Sequence, residues 1–529
     1  MADSAGPVSH ASGIAGSVLG ALERNGSAVN GIRRGIEKES LRVSPDGSLS
    51  RRPHPRALGS PLTHPMITTD FSEAQVELIT TVHDSPEASI RQLEDVHRFV
   101  YQCLDDELLW VSSMPCMLGD DADIPVGQYG SSNIARAKTV YRLGLGNRYG
   151  RLMQTISGIH YNFSVPDAFW SVYADAVGAR PTQAFQTQSY FALIRNFRRY
   201  SWLLIYLFGA SPAICRSFIK DRPHQLEPFD EGTLHLPWAT SLRMGRLGYQ
   251  SDAQSTLHVS YNSLDQYARS LHCALTEPYP DYERIGVQVN GEYRQLSTAL
   301  LQIENEFYGT IRPKQPIRSG ERPLNALRQR GVEYVEVRCL DLNPFLHVGI
   351  DEPQIRFLDA FLLYCLLADS PADSEEESRL MRDNQLRVVE QGRQPDLMLR
   401  DLHGSVSREV WSRQILAQCR PLAELLDRVH GGDAYVHSWE EQANKVENPA
   451  LTPSARVLEM MASQRIPFFR FTMNQSIAHK GYFDEHPLRD QQLEAFRAEA
   501  ELSLEQQREI EAADSEDFAS FLRRYLALD

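Results

Sequence analysis

The chain has 529 residues, of which 42% are hydrophobic and 23% are charged. This balance is typical of a globular protein and excludes a largely disordered or fibrous one. The 54 basic and 69 acidic side chains give a formal net charge of −15. A general nucleic-acid binder needs a basic surface, so we expect no nucleic-acid partner. A local positive pocket for an anionic substrate is still compatible with this charge.

Cysteine usage and hydropathy bear on the compartment. The seven cysteines are widely spread and include no C-x-x-C pair, so neither a zinc ribbon nor a dithiol redox centre is predicted. We interpret the thiols as small buried hydrophobic residues. The N-terminal residues lack the basic cluster and apolar core of a secretory signal. The most apolar uncharged stretch, residues 200–215, has only 16 residues, whereas a membrane span needs about 20. We therefore expect a buried element there, no membrane partner, and a cytoplasmic, reducing environment.

The predicted elements change in character along the chain. The first two dozen residues, rich in Ala, Ser and Gly, are expected to fray. Strands are predicted next, over residues 31–43, 74–82, 156–165, 302–311 and 332–340. Helices are predicted between them, over residues 86–109 and 182–208. After residue 345 the pattern is helical to the end, with an apolar helix over 352–367 and a capping box at Ser374 and Glu377 that opens the next one. The fold class is therefore α+β.

Alternation along the strands groups several polar side chains by face. Because successive residues of a strand point to opposite faces, Glu37 and Glu39 point the same way, as do Glu336 and Arg338. Glu77 lies in an otherwise apolar strand. Each has an ordinary alternative, since a glutamate pair is usually a solvated surface and a Glu-x-Arg pair is often a salt bridge.

These faces carry chemistry only if they converge. A concave antiparallel sheet would then hold five candidate ligands close together: Glu37, Glu39, Glu77, His160 and Glu336. Such crowding of carboxylates is repulsive unless cations occupy the space, and carboxylate oxygens suit Mg²⁺ or Mn²⁺. A lone histidine on a strand is more often a hydrogen-bonded residue than a ligand, and periodicity alone does not show that the faces meet. Motifs of the P-loop, H-E-x-x-H or G-x-S-x-G type do not occur in the sequence.

Several long motifs follow one another in a fixed order. They are GIEKESLRV at 35–43, QTISGIHYNF at 154–163, LFGASPAIC at 207–215, LQIENE at 301–306, IRPK at 311–314, EYVEVR at 333–338 and LNPF at 342–345. Together they resemble the proteobacterial type of glutamate–cysteine ligase, also called γ-glutamylcysteine synthetase. The resemblance is densest up to residue 345 and looser from residue 397 onward.

The resemblance implies a fold and a reaction. The fold is a funnel-like, mainly antiparallel sheet similar to the catalytic core of glutamine synthetase, surrounded by helices. It implies one large catalytic domain over residues 1–529, with a β-rich core at 31–345 that carries the metal, ATP and substrate sites and a mainly helical part at 346–529. The implied reaction joins the γ-carboxyl of L-glutamate to the amine of L-cysteine, with ATP as co-substrate and Mg²⁺ or Mn²⁺ as cofactor. It proceeds through γ-glutamyl phosphate and is the first step of glutathione biosynthesis. The resemblance favours a monomer.

The same resemblance implies residue roles. The metal ligands are Glu37, Glu39, Glu77, His160 and Glu336. Arg338 contacts the transferring phosphoryl group of ATP, because a planar guanidinium matches phosphate oxygens, and Asp70 steers the incoming amine. The pocket for the cysteine side chain is formed by Phe71, Tyr141, Leu145, Tyr249 and Tyr308. The substrate carboxylates are bound by Arg142 and Arg243.

Alternatives stay open at this point. The tyrosines taken singly fit ordinary core packing, and Glu304 and Glu306, predicted on the same strand face as Tyr308, are not assigned a role in the reaction. A related ligase that accepts a different amine, and a metal-binding scaffold with a decayed active site, are the two other functions that the residues allow.

Overall fold

The computed structural model describes residues 9–220, 222–247, 252–255, 257–318 and 320–527. Its strands are β1 (Arg33–Val43), β2 (Ile67–Thr69), β3 (Gln75–Ile79), β4 (Leu108–Leu109), β5 (Ile159–Ser164), β6 (Ala213–Cys215), β7 (Glu227–Pro228), β8 (Thr233–His235), β9 (Gln288–Val289), β10 (Glu292–Tyr293), β11 (Ile311–Lys314), β12 (Tyr334–Leu340), β13 (Met398–Asp401) and β14 (Gly404–Ser407).

Helices surround these strands and dominate the C-terminal third. They are α1 (Gly16–Arg24), α2 (Pro86–Cys103), α3 (Asn133–Tyr149), α4 (Asp167–Ala176), α5 (Gln183–Phe208), α6 (Arg216–Ile219), α7 (Asp252–Ser255), α8 (Leu264–Thr276), α9 (Pro280–Ile285), α10 (Pro323–Arg330), α11 (Glu352–Leu367), α12 (Glu375–Gln391), α13 (Arg408–His430), α14 (Ala434–Glu447), α15 (Pro453–Gln464), α16 (Phe468–Glu485), α17 (Asp490–Ala513) and α18 (Phe518–Leu526). The predicted α+β class is confirmed, with a mainly antiparallel sheet and a helical C-terminal region.

The central sheet has the strand order β11-β12-β5-β1-β3-β2, and β4 pairs with the end of β1. The long strand β1 pairs with β5 along its first half and with β3 along its second half, in both cases antiparallel. One face is apolar: Ile36, Tyr161 and Val337 are fully buried in the main hydrophobic core. The other face, which carries the alternate residues, is left for polar side chains.

Two apolar helices cover the apolar face. Helix α5 begins after Thr182, whose side chain accepts a hydrogen bond from the amide of Phe185, and most of its residues are buried. Helix α11 has the predicted bounds and begins after Asp351, which caps it in the same way. Side-chain caps of this kind satisfy amides that the first helical turn leaves unpaired.

A buried ion pair joins the sheet to the helical region. Arg34 of β1 contacts Asp359 of α11 at 2.7 Å, and neither side chain is exposed to solvent. Tyr161 of β5 and Tyr435 of α14 both donate hydrogen bonds to the same carboxylate, at 2.7 and 3.2 Å. Because removal of one partner of a buried ion pair costs about 3–5 kcal/mol, this cluster holds β1, β5, α11 and α14 in one arrangement.

The predicted capping box at the start of α12 is confirmed for its first half. The side chain of Ser374 accepts a hydrogen bond from the amide of Glu377 at 3.1 Å. The carboxylate of Glu377 pairs with Arg199 of α5 at 2.7 Å. Tertiary contact thus decides where the glutamate of this motif points.

Three local predictions are wrong. Residues 302–311 do not form a strand, because Glu304–Glu306 is a short 3-10 turn and β11 begins only at residue 311. Residues 16–24 do not fray but form α1, since Val18 and Leu22 are buried in the main core. A hairpin of β13 and β14 interrupts the helical third. Residues 1–8 lie outside the described part of the chain.

The cysteine interpretation holds only in part. Cys339, Cys365 and Cys419 are free and buried, as expected. Cys116 and Cys215 instead form a disulfide, with their Cα atoms 5.5 Å apart. The reason is tertiary, because both residues lie in one apolar cluster although 99 positions separate them in the chain.

The predicted buried element at residues 200–215 is confirmed, since every residue of this stretch is buried at the end of α5 and in β6. Among the described residues, no helix combines the length and the apolar character that a membrane span requires.

Candidate active site

The register of the central sheet brings the five predicted metal ligands onto its polar face. Glu37 lies directly opposite His160 across β1 and β5. Glu39 lies directly opposite Glu77 across β1 and β3. Glu336 of β12 lies on the other side of β5, opposite the residue two positions beyond His160. The alternation seen in the sequence therefore becomes one acidic cluster that crosses four adjacent strands.

Two groups within this cluster are compact enough to hold a cation, and both contain His160. Its Nδ1 atom lies 3.2 Å from Glu37 Oε2 and 4.0 Å from Glu336 Oε1. Its Nε2 atom lies 3.8 Å from Glu39 Oε1. The first group is Glu37, His160 and Glu336, and the second is Glu39, Glu77 and His160; the ligand atoms of each lie within 4.8 Å of one another.

The cluster is electrostatically crowded on the β3 side. Burial, followed by the charge of Asp70, raises the pKa of Glu39 to about 8. Burial, followed by the charges of Glu37 and Asp70, raises the pKa of Glu77 well above its ordinary value. A solvated surface is therefore the wrong interpretation of the Glu37–Glu39 pair, because Glu39 is only 3% exposed.

The opposite side of the cluster is compensated by cations. Lys314 Nζ lies 2.9 Å from Glu336 Oε1, and Arg338 Nη1 lies 3.0 Å from Glu336 Oε2. Burial alone would raise the pKa of Glu336, but the charges of Lys314 and Arg338 hold it well below its ordinary value. The cluster thus has two halves. Glu39 and Glu77 bind a proton more readily than an ordinary glutamate, whereas Glu336 stays ionised.

Sequence reasoning missed Lys314 as a site residue. Arg312 lies directly opposite Glu336 in the β11–β12 register, and Lys314 follows two positions later. The same period-two rule that grouped Glu336 with Arg338 would have placed Arg312 and Lys314 on one face of the IRPK motif. What it could not show is that β11 pairs with β12.

Asp70 and Arg142 lie beside the acidic half. The Asp70 charge raises the pKa of both Glu39 and Glu77, so its carboxylate is close to the cluster. Arg142 of α3 donates to the backbone carbonyl of Asp70, and its guanidinium lies 4.5 Å from the ring centroid of Tyr129. These contacts hold α3 against the loop that follows β2.

The predicted cysteine pocket is divided between two environments. Phe71 and Leu145 are buried in one apolar cluster, and Tyr141 packs against it. The hydroxyl of Tyr308 lies 3.2 Å from Nε2 of Gln154. Burial, followed by the charge of Glu306 and the nearby hydroxyl of Tyr308, raises the pKa of Tyr141 well above its ordinary value. Tyr249, the fifth predicted member, lies outside the described residues.

The buried carboxylate of Asp341 lies beside the guanidinium of Arg243. The sequence did not identify Asp341 as a site residue. Arg243 is 1% exposed and donates to the backbone carbonyl of Arg338 at 3.0 Å. Asp341 lies 3.7 Å from its guanidinium and accepts hydrogen bonds from the hydroxyls of Ser211 and Ser241, at 2.7 and 2.9 Å. Asp341 follows β12, and no spacing rule links it to the segment that carries Arg243.

One glycine is required by this packing. The amide of Gly158 donates to Glu39 Oε2 at 2.7 Å. A Cβ atom at Gly158 would lie 1.9 Å from Nη2 of Arg243. Any larger residue would therefore displace Arg243 from its place beside the cluster.

The described residues line a cavity of about 500 Å³ at this face of the sheet. Four predicted site residues contribute to its wall: His160, Arg243, Tyr308 and Arg338. Another wall comes from α12 through Arg382, Gln385 and Leu386. The volume lies in the range of small-molecule sites, and the helical third of the chain therefore contributes part of the site.

Comparison with known proteins shows which family the chain belongs to. The sequence model of the glutamate–cysteine ligase family matches residues 19–388. The chain belongs to this family. It is 53% identical over 505 residues to a glutamate–cysteine ligase of Alcanivorax borkumensis, covering 94% of this chain and 95% of the relative. It is 51% identical to one from Saccharophagus degradans, covering 95% and 96%. The crystal structure of a glutamate–cysteine ligase from Francisella tularensis in complex with AMP has a TM-score of 0.88 and 36% identity, and covers 94% of this chain and 97% of that chain.

The donor set of this member of the glutamate–cysteine ligase family fits a hard divalent cation. Four of the five candidate ligands are carboxylates and one is an imidazole, and no cysteine is among them. Carboxylate oxygens favour Mg²⁺ and Mn²⁺ over the softer metals that thiolates select. The raised pKa values of Glu39 and Glu77 indicate a place where a positive charge would be strongly favourable.

Proposed function

We propose that this protein joins the γ-carboxyl of L-glutamate to the amine of L-cysteine while ATP is converted to ADP and phosphate. This reaction is the first step of glutathione biosynthesis. Family membership supports the reaction class. The observation that carries the proposal is the acidic cluster, in which two ligand groups share His160, and His160 lines one cavity together with Arg338. A decayed scaffold would not be expected to keep all six of these side chains together.

The proposed metal ligands are Glu37, Glu39, Glu77, His160 and Glu336. A divalent cation bound there would neutralise the phosphates of ATP, which would otherwise repel the carboxylate of glutamate. Mg²⁺ is the proposed cation, with Mn²⁺ as a substitute. The imidazole of His160 must be neutral to bind a cation, and burial, followed by the charge of Arg338, lowers the pKa of His160.

The proposed reaction has two steps, phosphoryl transfer and amide-bond formation. An oxygen of the glutamate γ-carboxylate attacks the γ-phosphorus of ATP, the bond to the bridging oxygen breaks, and ADP leaves. The amine of cysteine then attacks the acyl carbon of γ-glutamyl phosphate, inorganic phosphate leaves, and the nitrogen loses a proton. Arg338 is proposed to neutralise charge on the transferring phosphoryl group, because its planar fork matches phosphate oxygens. Asp70 is proposed to orient the incoming amine.

The remaining assignments concern substrate recognition. Arg243 and Arg142 are proposed to bind substrate carboxylates, and the buried position of Arg243 in the cavity wall supports this role. The cysteine side chain is proposed to be enclosed by Phe71, Tyr141, Leu145, Tyr249 and Tyr308. The AMP complex of the Francisella relative supports a nucleotide as a substrate. The cytoplasmic location, the monomeric state and the single catalytic domain over residues 1–529 stay predictions from the sequence.

The test is a coupled assay of ADP release with each substrate omitted in turn. We expect release to require L-glutamate, L-cysteine, ATP and Mg²⁺ together, and mass spectrometry to detect γ-glutamylcysteine. Equal ADP release without an amine would contradict a ligase. Competition between L-cysteine, 2-aminobutyrate and L-serine would show whether a different amine is preferred, which is the alternative that the residues leave open.

A further inference from the structure

The C-terminal end of the chain makes hydrogen bonds with the start of helix α3. We name residues 511–526 the C-terminal clamp. Glu511 accepts a hydrogen bond from the amide of Ser131 at 2.8 Å, and Asp514 accepts one from the amide of Asn133 at 2.5 Å. The side chain of Asn133 donates to the backbone carbonyl of Glu516 at 2.8 Å. The first amides of a helix have no partner within the helix, and carboxylates there are favourable. Ser132 caps the amide of Ala135 within α3 itself, and the clamp supplies acceptors for the amides on either side of it, Ser131 and Asn133, from 380 and 381 positions away.

An apolar contact continues along the same helix. Phe518, Phe521 and Leu522 of α18 form a buried cluster with Ala137 and Val140 of α3. Tyr141, the next residue of α3, packs against this cluster. The guanidinium of Arg136 lies 4.3 Å from the ring centroid of Phe518. The clamp thus fixes both the start of α3 and the turn that immediately precedes Tyr141.

A second set of contacts connects the C-terminal clamp to the segment that carries Tyr308. Arg322 donates to the backbone carbonyl of Leu526 at 3.3 Å, near the end of the clamp. The same guanidinium pairs with Glu304 at 2.6 Å, and Glu304 opens the 3-10 turn that precedes Tyr308. Gln302 donates to the backbone carbonyl of Tyr141 at 3.2 Å. The clamp is therefore connected to both segments that carry the tyrosines of the predicted cysteine pocket.

Among the described residues, those that line the cavity of about 500 Å³ include no residue of the clamp, and Tyr141 and Arg142 also lie outside this lining. We propose that the C-terminal clamp is a positioning element, which sets Tyr141 and Arg142 for the amino-acid substrates through α3. This inference rests on the proposed function. His160 and Arg338, the residues proposed for the metal and for ATP, lie on β5 and β12 of the sheet and are not members of the cluster between α18 and α3. Loss of the clamp should therefore weaken amino-acid binding selectively.

The test compares two variants of the full chain. In Phe518→Ala with Phe521→Ala, we expect the KM for L-cysteine to rise about tenfold, while the KM for ATP changes by less than about twofold. The matched control is Arg523→Ala on the exposed side of α18, whose side chain contacts Ser520; it should leave every KM unchanged. The single variant Phe521→Leu should keep most of the affinity for L-cysteine, because leucine still fills the cluster.

A structural role alone would give a different result. If the double alanine variant only lowered the melting temperature and left the KM for L-cysteine unchanged, the inference would be overturned. An equal rise of all KM values would also overturn it. If that variant does not fold, Asp514→Ala keeps the apolar cluster and removes the acceptor of the Asn133 amide. It should raise the KM for L-cysteine in the same direction, with faster hydrogen exchange at the start of α3, and no change in that KM would reject the positioning role. ADP release by the unmodified protein that does not require L-cysteine would instead reject the proposed function.

Discussion

Glu39 lies directly opposite Glu77 across the β1–β3 pair, on the polar face of the central sheet. Like charges in directly opposed positions of a sheet are destabilising, and Asp70 adds a third negative charge nearby. The metal-free fold therefore carries an unfavourable arrangement that a divalent cation would relieve. The variant Glu77→Gln tests this relationship.

Replacing Glu77 by glutamine should separate stability from activity. The neutral amide removes the repulsion, so we expect Glu77→Gln to be at least as stable as the parent chain without metal. Turnover should fall by at least about 100-fold because a ligand is lost. Mg²⁺ or Mn²⁺ should raise the melting temperature of the parent chain and raise that of the variant less. Glu333→Gln, an exposed change beside β12, is the control. Near-normal turnover of Glu77→Gln would contradict the metal assignment.

Replacing Asp341 by asparagine should destabilise the chain and disturb Arg243. Asp341 accepts three hydrogen bonds, one from an amide and two from serine hydroxyls, and an amide group cannot accept all of them while facing Arg243. We expect the free energy of unfolding in urea to fall by about 2–4 kcal/mol. The exposed change Asp175→Asn in α4 should have no measurable effect. A stable variant with unchanged KM values would show that Asp341 does not support Arg243.

Stability should decrease on mild acidification because of His479. Burial, followed by the charges of His347 and Lys38, lowers its pKa from 6.5 to about 3. Between these values the unfolded chain binds a proton that the folded chain excludes, so the stabilisation is complete above pH 6.5 and is lost as the pH falls towards 3. From pH 7 to pH 5 this group contributes a loss of about 1–2 kcal/mol.

The measurement is the change in unfolding free energy between these two pH values. His479→Gln should show a smaller change than the parent chain by the amount given above, whatever its stability at pH 7. His437→Gln, at an exposed position of α14, should keep the parent pH dependence. An identical pH dependence for His479→Gln would exclude His479 as a source of the acid sensitivity.

The disulfide should stabilise the fold under oxidising conditions. Cys116 and Cys215 are 99 positions apart, and closing a loop of that length in the unfolded chain is worth up to about 4–5 kcal/mol in the chain-entropy description. We expect dithiothreitol, or Cys116→Ala with Cys215→Ala, to lower the melting temperature. Cys273→Ala, at an exposed free thiol, should not do so. A melting temperature that is insensitive to the reductant would indicate that the bridge does not form in solution.

Local elements were predictable because their causes are local. The apolar run of α11 lies within the element, and Ser374 directly precedes α12, so the bounds of α11 and the start of α12 followed from the sequence. The 3-10 turn at residues 304–306 was not predictable in this way. Its two glutamates are buried by ion pairs with Arg322 and Arg148, which are remote in the chain, and those pairs override the strand pattern.

By itself, the sequence determined the alternation that points Glu37 with Glu39 and Glu336 with Arg338, since a strand repeats every two residues wherever it lies. Family motifs added the roles that this alternation suggests. Only the tertiary structure decided that the faces meet, because strand order and register depend on contacts between segments that are tens of residues to well over a hundred residues apart in the chain. The same long-range packing placed Lys314 on Glu336 and α18 on α3, and no local pattern encodes either contact.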